Sequence, residues 1–340
     1  METYLLGEAP SLTRLQVAEQ AGVAPEVAAE LWRLMGFPTP TDDAVAFTPL
    51  DVQALRHTRD LIDLGILGPD RQAALVRTWG RSYARLAEWQ TALLTSRALE
   101  SDAEPADTLA QLTQEVLPRV DALQSYVWRR HLASAGSRML AVEAPGSPVV
   151  RQAVVFVDIV GYTSRSKSLS EAELVDWLEH FESETLGLVV DRGGRIIKNI
   201  GDEVLVVADD VTAAAEIALT MTARGSDEAD RFPEVRAGIA YGPVVTRLGD
   251  VFGPTVNIAS RLTSLARPGT VVVDQGAYER LSGRVHDAEG DRDATDRETE
   301  SDSGAAPYAF RRMRRVSVKG YSRLQAWALR RPRSRATQDG

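Results

Sequence analysis

The sequence predicts an all-helical N-terminal domain followed by an α+β domain, and three observations lead to that fold class. The N-terminal stretch is rich in Ala, Leu, Arg and Glu, with apolar positions three and four apart, the helical period. From residue 150 onward, β-branched runs such as VVFVDIV and VLVVA alternate with helical segments. Between the two textures, AVEAPGSPVV (141–150) carries prolines and a glycine, which end helices and mark a boundary. A length of 340 residues suits two domains. The boundaries read as a helical domain at 1–142, a linker at 143–150, an α+β domain at 151–332 and a tail at 333–340.

In the helical domain, Pro25 and Pro49 sit where a first helical turn tolerates proline, and Thr48 with Asp51 reads as a helix start. From Asp70 to Arg97, Leu75, Trp79, Tyr83, Leu86 and Trp89 form a stripe on one long helix. Ala106–Leu140 reads as a second long helix, holding Leu112, Val116, Val120, Leu123 and Val127.

The α+β domain opens with RQAVVFVDIVGYTS, an apolar run suited to a central buried strand. Ser170 and Glu173 have capping-box spacing ahead of a helix with Leu174, Trp177, Leu178 and Phe181 on one face. RIIKNIGDEVLVVA reads as a hairpin turning near Asn199–Gly201. A helix at 211–224, a strand pair around 234–249, a helix at 254–267, the short strand TVVVD, a brief helix and C-terminal strands complete it. Residues 287–304 contain eight acids against two arginines, the composition of a disordered loop.

Composition excludes several functions. With no cysteine there is no disulfide, thiolate metal site or cysteine nucleophile, which fits a reducing, cytoplasmic setting. The N-terminus lacks the pattern of a signal peptide, and no apolar run approaches the ~20 residues of a membrane span. A net charge of −9 opposes broad nucleic-acid binding.

Four segments carry the chemistry. FVDIVGYT puts Asp158 at the end of the buried strand, KNIGDEV puts Lys198 and Asp202 around the hairpin turn, GDVFGPTVNIASRL contains Asp250, Asn257 and Arg261, and VSVKGY contains Lys319. Taken singly, each Asp reads as a solvated turn residue and each Lys as a surface residue. Asn257 and Arg261, four apart, share a helical face. Together and in this order the segments, spanning roughly 150–330, resemble the catalytic domain of class III adenylate cyclases.

That resemblance implies a ferredoxin-like βαββαβ fold and the conversion of ATP to 3′,5′-cyclic AMP and pyrophosphate. It implies that Asp158, Asp202 and the carbonyl of Ile159 hold two divalent cations, Mg²⁺ or Mn²⁺, which neutralise charge in an in-line displacement. It implies that Asn257 orients the ribose, that Arg261 meets charge on the α-phosphate and that Lys319 meets the outer phosphates. Lys198 and Asp250 match adenine, whose edge offers an N1 acceptor and an N6 amine donor. Guanylate cyclases of the family usually carry Glu and Cys at those two places. Because the family draws each site from two catalytic domains, a chain with one complete set is expected to act as a homodimer.

Three alternatives stay open at this stage: a guanylate cyclase, a non-catalytic sensor, and a nucleotide-responsive DNA-binding regulator. The last is suggested by LTRLQVAEQAGVAPEVAAELWRLMGF, which has the outline of a helix-turn-helix. Residues 1–140 hold no lysine and thirteen arginines against eighteen acids, which opposes DNA binding and favours a compact helical core of that shape. This half is also similar to the helical regulatory domains of some actinobacterial cyclases. It is expected to regulate catalysis, by a proton sensed at His131 in YVWRRHLASAGSRML or by an apolar ligand.

Overall fold

A computed structural model of the chain describes residues 5–38, 40–65, 69–100, 104–141, 149–283, 307–313, 316–318 and 321–332. Lys319, the acidic segment 287–304, the tail 333–340 and most of the expected linker lie outside the described residues. The chain divides into two compact units, Met1–Gly146 and Ser147–Gly340.

The first unit departs from the all-helical expectation in one respect. Strands β1 (Leu12–Thr13) and β2 (Val45–Phe47) pair antiparallel, Leu12 facing Phe47. These elements are too short to carry a period that a sequence could show. Helices α1 (Arg14–Ala21) and α2 (Pro25–Met35) are separated by Gly22 in the left-handed conformation. Thr13 caps α1, and Thr48 with Asp51 forms a capping box at α3 (Pro49–Asp63). Val17, Ala18, Leu31, Trp32, Phe47 and Leu55 make one core, with the Trp32 and Phe47 rings 4.6 Å apart. The two long helices follow as α4 (Pro69–Leu99) and α5 (Pro105–Ala141). Gly80 lets α4 touch α2, since a Cβ there would stand 2.3 Å from the Met35 carbonyl oxygen. Beyond this contact the expected stripe of α4 is not core: Trp79, Tyr83, Leu86 and Trp89 are all exposed.

In the second unit, β3 (Val149–Ile159) begins two residues before the expected boundary. Helices α6 (Tyr162–Ser166) and α7 (Glu171–Asp191) follow, α7 with the expected Ser170–Glu173 capping box. Next come β4 (Arg195–Ile200), β5 (Glu203–Ala208), α8 (Val211–Gly225) and β6 (Val235–Arg247). The strand pair expected near 234–249 is one long strand, β6, whose three-residue partner β7 (Asp250–Phe252) starts later. The remaining elements are α9 (Pro254–Leu265), β8 (Val271–Asp274), α10 (Gln275–Ser282), β9 (Ala309–Arg312), β10 (Val316–Val318), β11 (Tyr321–Leu324) and β12 (Ala326–Arg330).

The main sheet runs β4-β5-β3-β6-β8-β12-β9. Its first four strands with α7 and α8 are a ferredoxin-like βαββαβ unit, and β3 is central as its apolar run predicts. Alternation along the strands divides the core. Val155, Val157, Val206 and Ile239 face α7 and α8, whereas Val154, Phe156, Leu205 and Ala240 face α9. Helix α9 lies directly on β6, because a Cβ on Gly238 would stand 2.3 Å from Thr263 N and 2.4 Å from Ala259 O.

Asp274, at the end of β8, is buried and accepts hydrogen bonds from the backbone N–H groups of Tyr241 and Ala277. Burial outweighs these bonds and pushes its carboxyl up to about 6 from the ordinary 3.8. A carboxyl raised on folding contributes stability at low pH that is lost as pH rises through about 6. Asp274→Asn keeps an oxygen acceptor without the charge. It is expected to be more stable than the parent at pH 8, by up to about 2 kcal/mol, with the gap closing toward pH 5. Urea unfolding of the two proteins at both pH values checks this.

Candidate active site

Asp158 continues the alternation of Val154 and Phe156, so it stands at the end of β3 on the face that α9 covers. Its cross-strand neighbours are Glu203 on β5 and Arg236 on β6, forming one row across three strands. The Arg236 guanidinium grips one oxygen of Asp158, with Nε at 2.7 Å and a terminal nitrogen at 2.6 Å. Asp202 occupies the turn between β4 and β5, and its carbonyl accepts the N–H of Ile159 at 3.2 Å. The hairpin turn and the end of β3 are thereby joined by a backbone hydrogen bond.

Electrostatics support the same reading. Glu203 is pushed up to about 7 from 4.5, first by burial and then by the negative charge of Asp158 and Asp202, against a smaller opposing effect of Arg236. Carboxylates are therefore crowded at this corner beyond what one guanidinium offsets. No three acidic or imidazole side chains already form an ion cage among the described residues. The hard oxygen donors, two carboxylates and the Ile159 carbonyl, fit Mg²⁺ or Mn²⁺ with water and phosphate oxygens completing the shell.

Lys198 on β4 and Asp250, the first residue of β7, are 52 positions apart, yet Lys198 Nζ lies 2.5 Å from Asp250 Oδ2. Both remain partly open to solvent, at 43 % and 27 %. Asn257 and Arg261 lie one turn apart on α9, Asn257 exposed and Arg261 half-buried. Arg261 Nε is buried without a hydrogen-bond partner among the described residues, and no ion pair engages this arginine there. That donor is poised for an acceptor, since a buried N–H left unpaired costs ~1–3 kcal/mol. The structure thus brings Asp158 near Asp202 and Ile159, and separately Lys198 to Asp250, while among the described residues no hydrogen bond or ion pair engages the side chains of Asn257 and Arg261.

Two residues were missed in the sequence. Glu203 follows Asp202 and looked like part of a strand; the signal available was its acidic character beside a strongly apolar run. Arg236 had none, because only the strand register sets it beside Asp158.

A sequence profile for the adenylate and guanylate cyclase catalytic domain matches residues 147–329. The chain belongs to this family. Outside that domain the likeness to cyclases continues. An adenylate cyclase from Streptomyces coelicolor is 41 % identical over 293 residues, covering 85 % of this chain and 76 % of the relative. One from Glutamicibacter nicotianae is 38 % identical, covering 81 % and 72 %. A Mycobacterium tuberculosis protein named as a pH-sensitive adenylate cyclase is 31 % identical, covering 81 % and 71 %. In the cyclase domain, among the described residues, no helix is long and apolar enough to cross a membrane, and the same holds for the helical unit.

The seat of α9 invites a direct test. Gly238→Ala forces the helix off β6, and Asn257 and Arg261 move with it. Overpacking of this kind costs ~1–3 kcal/mol, so the variant should still fold. Cyclase turnover is expected to fall at least ~100-fold, since ångström-scale misplacement of a catalytic group has that effect. Melting temperature and turnover measured together separate displacement from unfolding.

Proposed function

We propose that this chain is an adenylate cyclase, converting ATP to 3′,5′-cyclic AMP and pyrophosphate at a site shared by two copies of the chain. The observation that carries the adenine assignment is the Lys198–Asp250 pair. A juxtaposed ammonium and carboxylate can turn from each other to adenine, the lysine donating to N1 and the carboxylate accepting from the N6 amine. Guanine presents a carbonyl and an N–H at those positions and would meet two mismatches. The names of the Streptomyces and Glutamicibacter relatives support the same substrate.

In the reaction the ribose 3′-oxygen forms a bond to the α-phosphorus while the bond to the β-phosphate bridging oxygen breaks and pyrophosphate departs. Divalent cations held by Asp158, Asp202 and the Ile159 carbonyl would supply the charge that lowers the acidity barrier of the 3′-hydroxyl and neutralises the triphosphate. Arg236 fixes the orientation of Asp158. Arg261 donates to the equatorial oxygens of the α-phosphate as their charge grows, and a planar guanidinium suits that geometry. Asn257, one turn earlier, orients the ribose. Lys319 holds the outer phosphates. The 3′ proton passes to Asp158 or to water.

A second copy belongs to this reading because the family draws each site from two catalytic domains, and Arg261 Nε has no partner among the described residues of its own chain. Exposed Ile200, Leu248 and Phe252 on β4 and the β6–β7 hairpin provide apolar surface for that copy. We further propose that the helical unit regulates the enzyme in the cytoplasm, with His131, exposed on α5, as its proton sensor.

The test is one assay of the full chain with ATP or GTP and Mn²⁺ or Mg²⁺ from pH 5 to 8, with products identified by mass. Cyclic AMP with pyrophosphate from ATP is expected, and only trace cyclic GMP from GTP. A dominant cyclic GMP product, or none from either nucleotide, would overturn the assignment. An unchanged pH profile in His131→Asn would remove that residue from regulation.

A further inference from the structure

A regularly alternating β4 would carry Lys198 to the wrong face of the sheet. Ile196 lies opposite Val206 and Ile200 opposite Glu203, so residues 197–199 of β4 face only residues 204 and 205 of β5. The residue in excess is Ile197, a β-bulge. Both ends of this stretch are fixed. Ile196 packs with Val206 in the core under α7 and α8. At the other end Gly201, in the left-handed conformation, makes the turn with Asp202 and sets the pairing of the strands.

Between those ends the bulge reverses the alternation. Without it Lys198 would stand opposite Val204, on the side of α7. With Ile197 inserted, Lys198 stands opposite Leu205, whose side chain belongs to the core that faces α9. Val251, next to Asp250, belongs to that same core, and there Lys198 Nζ comes to 2.5 Å from Asp250 Oδ2. Asn199 is turned the other way, opposite Val204, and its Nδ2 donates to Glu182 Oε1 on α7 at 2.8 Å. An unbulged strand would point Asn199 away from α7 and lose this bond.

We propose that Glu182 and Asn199 are positioning residues for base selection. Their hydrogen bond, an amide donating to a carboxylate, ties β4 to α7 in the bulged register, and that register aims Lys198 at the purine. A bulge also keeps an edge strand such as β4 from pairing with strangers, but a bulge anywhere along the strand does that. Only one just ahead of Lys198 turns the lysine over. The inference rests on the adenine reading of Lys198 and deepens it, since both residues act through that lysine.

The test compares kcat/KM for ATP with kcat/KM for GTP in the full chain. Asn199→Asp sets two carboxylates against each other and should lower the ATP:GTP ratio at least ~10-fold, because ångström-scale misplacement of a site group has effects of that order or larger. Adding Glu182→Gln restores the hydrogen bond with donor and acceptor exchanged, and the ratio should return to within ~3-fold of the parent. A role confined to folding would depress use of both nucleotides and leave the ratio alone. Lys198→Ala is the reference variant. If it leaves the ratio unchanged, the adenine reading itself fails and takes this inference with it. If it lowers the ratio while Asn199→Asp does not, or while Glu182→Gln fails to rescue Asn199→Asp, the positioning role is overturned and the adenine reading stands.

Discussion

An Asp158→Ala chain and an Arg261→Ala chain, each inactive alone, are expected to regain about a quarter of parental activity when mixed and allowed to exchange. The single losses should be roughly 100- to 1,000-fold each. Asp158 anchors the carboxylate corner, and removing one preorganised donor to a developing oxyanion costs that much. Neither residue is part of the hydrophobic core, so both variants should fold. Recovery follows from symmetry. In a mixed dimer one site takes its carboxylates and its arginine from the two mutated positions and is dead. The other takes both from intact positions and is whole. Random pairing makes half of the dimers mixed, each with one of two sites working. If both residues served the same site from one chain, mixing would restore nothing. The measurement is cyclic AMP formation against mixing ratio, with subunit exchange verified independently.

The second large effect is expected in base choice. Lys198→Glu with Asp250→Cys should lower kcat/KM for ATP by at least ~100-fold, because two hydrogen bonds to adenine, each worth ~1–3 kcal/mol in discrimination, are lost or reversed. Use of GTP should rise, since a carboxylate accepts from guanine N1–H and a thiol donates to its O6. Lys198→Ala alone should hurt ATP use through KM and kcat together, because Asp250 then lacks its partner at 2.5 Å. Steady-state kinetics with both nucleotides read these changes. A double variant that keeps its preference for ATP would move the purine site elsewhere in the fold.

These two predictions rest on features that were unequally visible in the chain. The carboxylates were legible as residues: Asp158 stands next to last in an eleven-residue strand after a long apolar run, and Asp202 follows a glycine between two strand-like runs, positions that place short acidic side chains at strand ends. The Asn257–Arg261 face was legible from its spacing, and Gly253–Pro254 fixed the start of its helix. The capping boxes at Ser170 and Thr48 were also legible, because a cap is a contact three residues long. What could not be read was any contact set by strand register. Arg236 on Asp158 and Glu203 beside it depend on which residues of β5 and β6 fall opposite residue 158. The β1–β2 pair was missed because two- and three-residue strands have no period. The stripe on α4 was seen as apolar but not as uncovered, since periodicity shows which residues share a face and never what lies against it.

The sequence alone determined the two-part architecture and the βαββαβ order, because these depend on local period and caps, and the order of its motifs nominated the candidate site residues. Tertiary structure alone decided that Lys198 reaches Asp250, that Gly238 seats α9 on β6, and that Arg261 Nε is buried without a partner among the described residues. Each of these joins residues distant along the chain, and only the packing of one element against another brings such groups within a few ångströms.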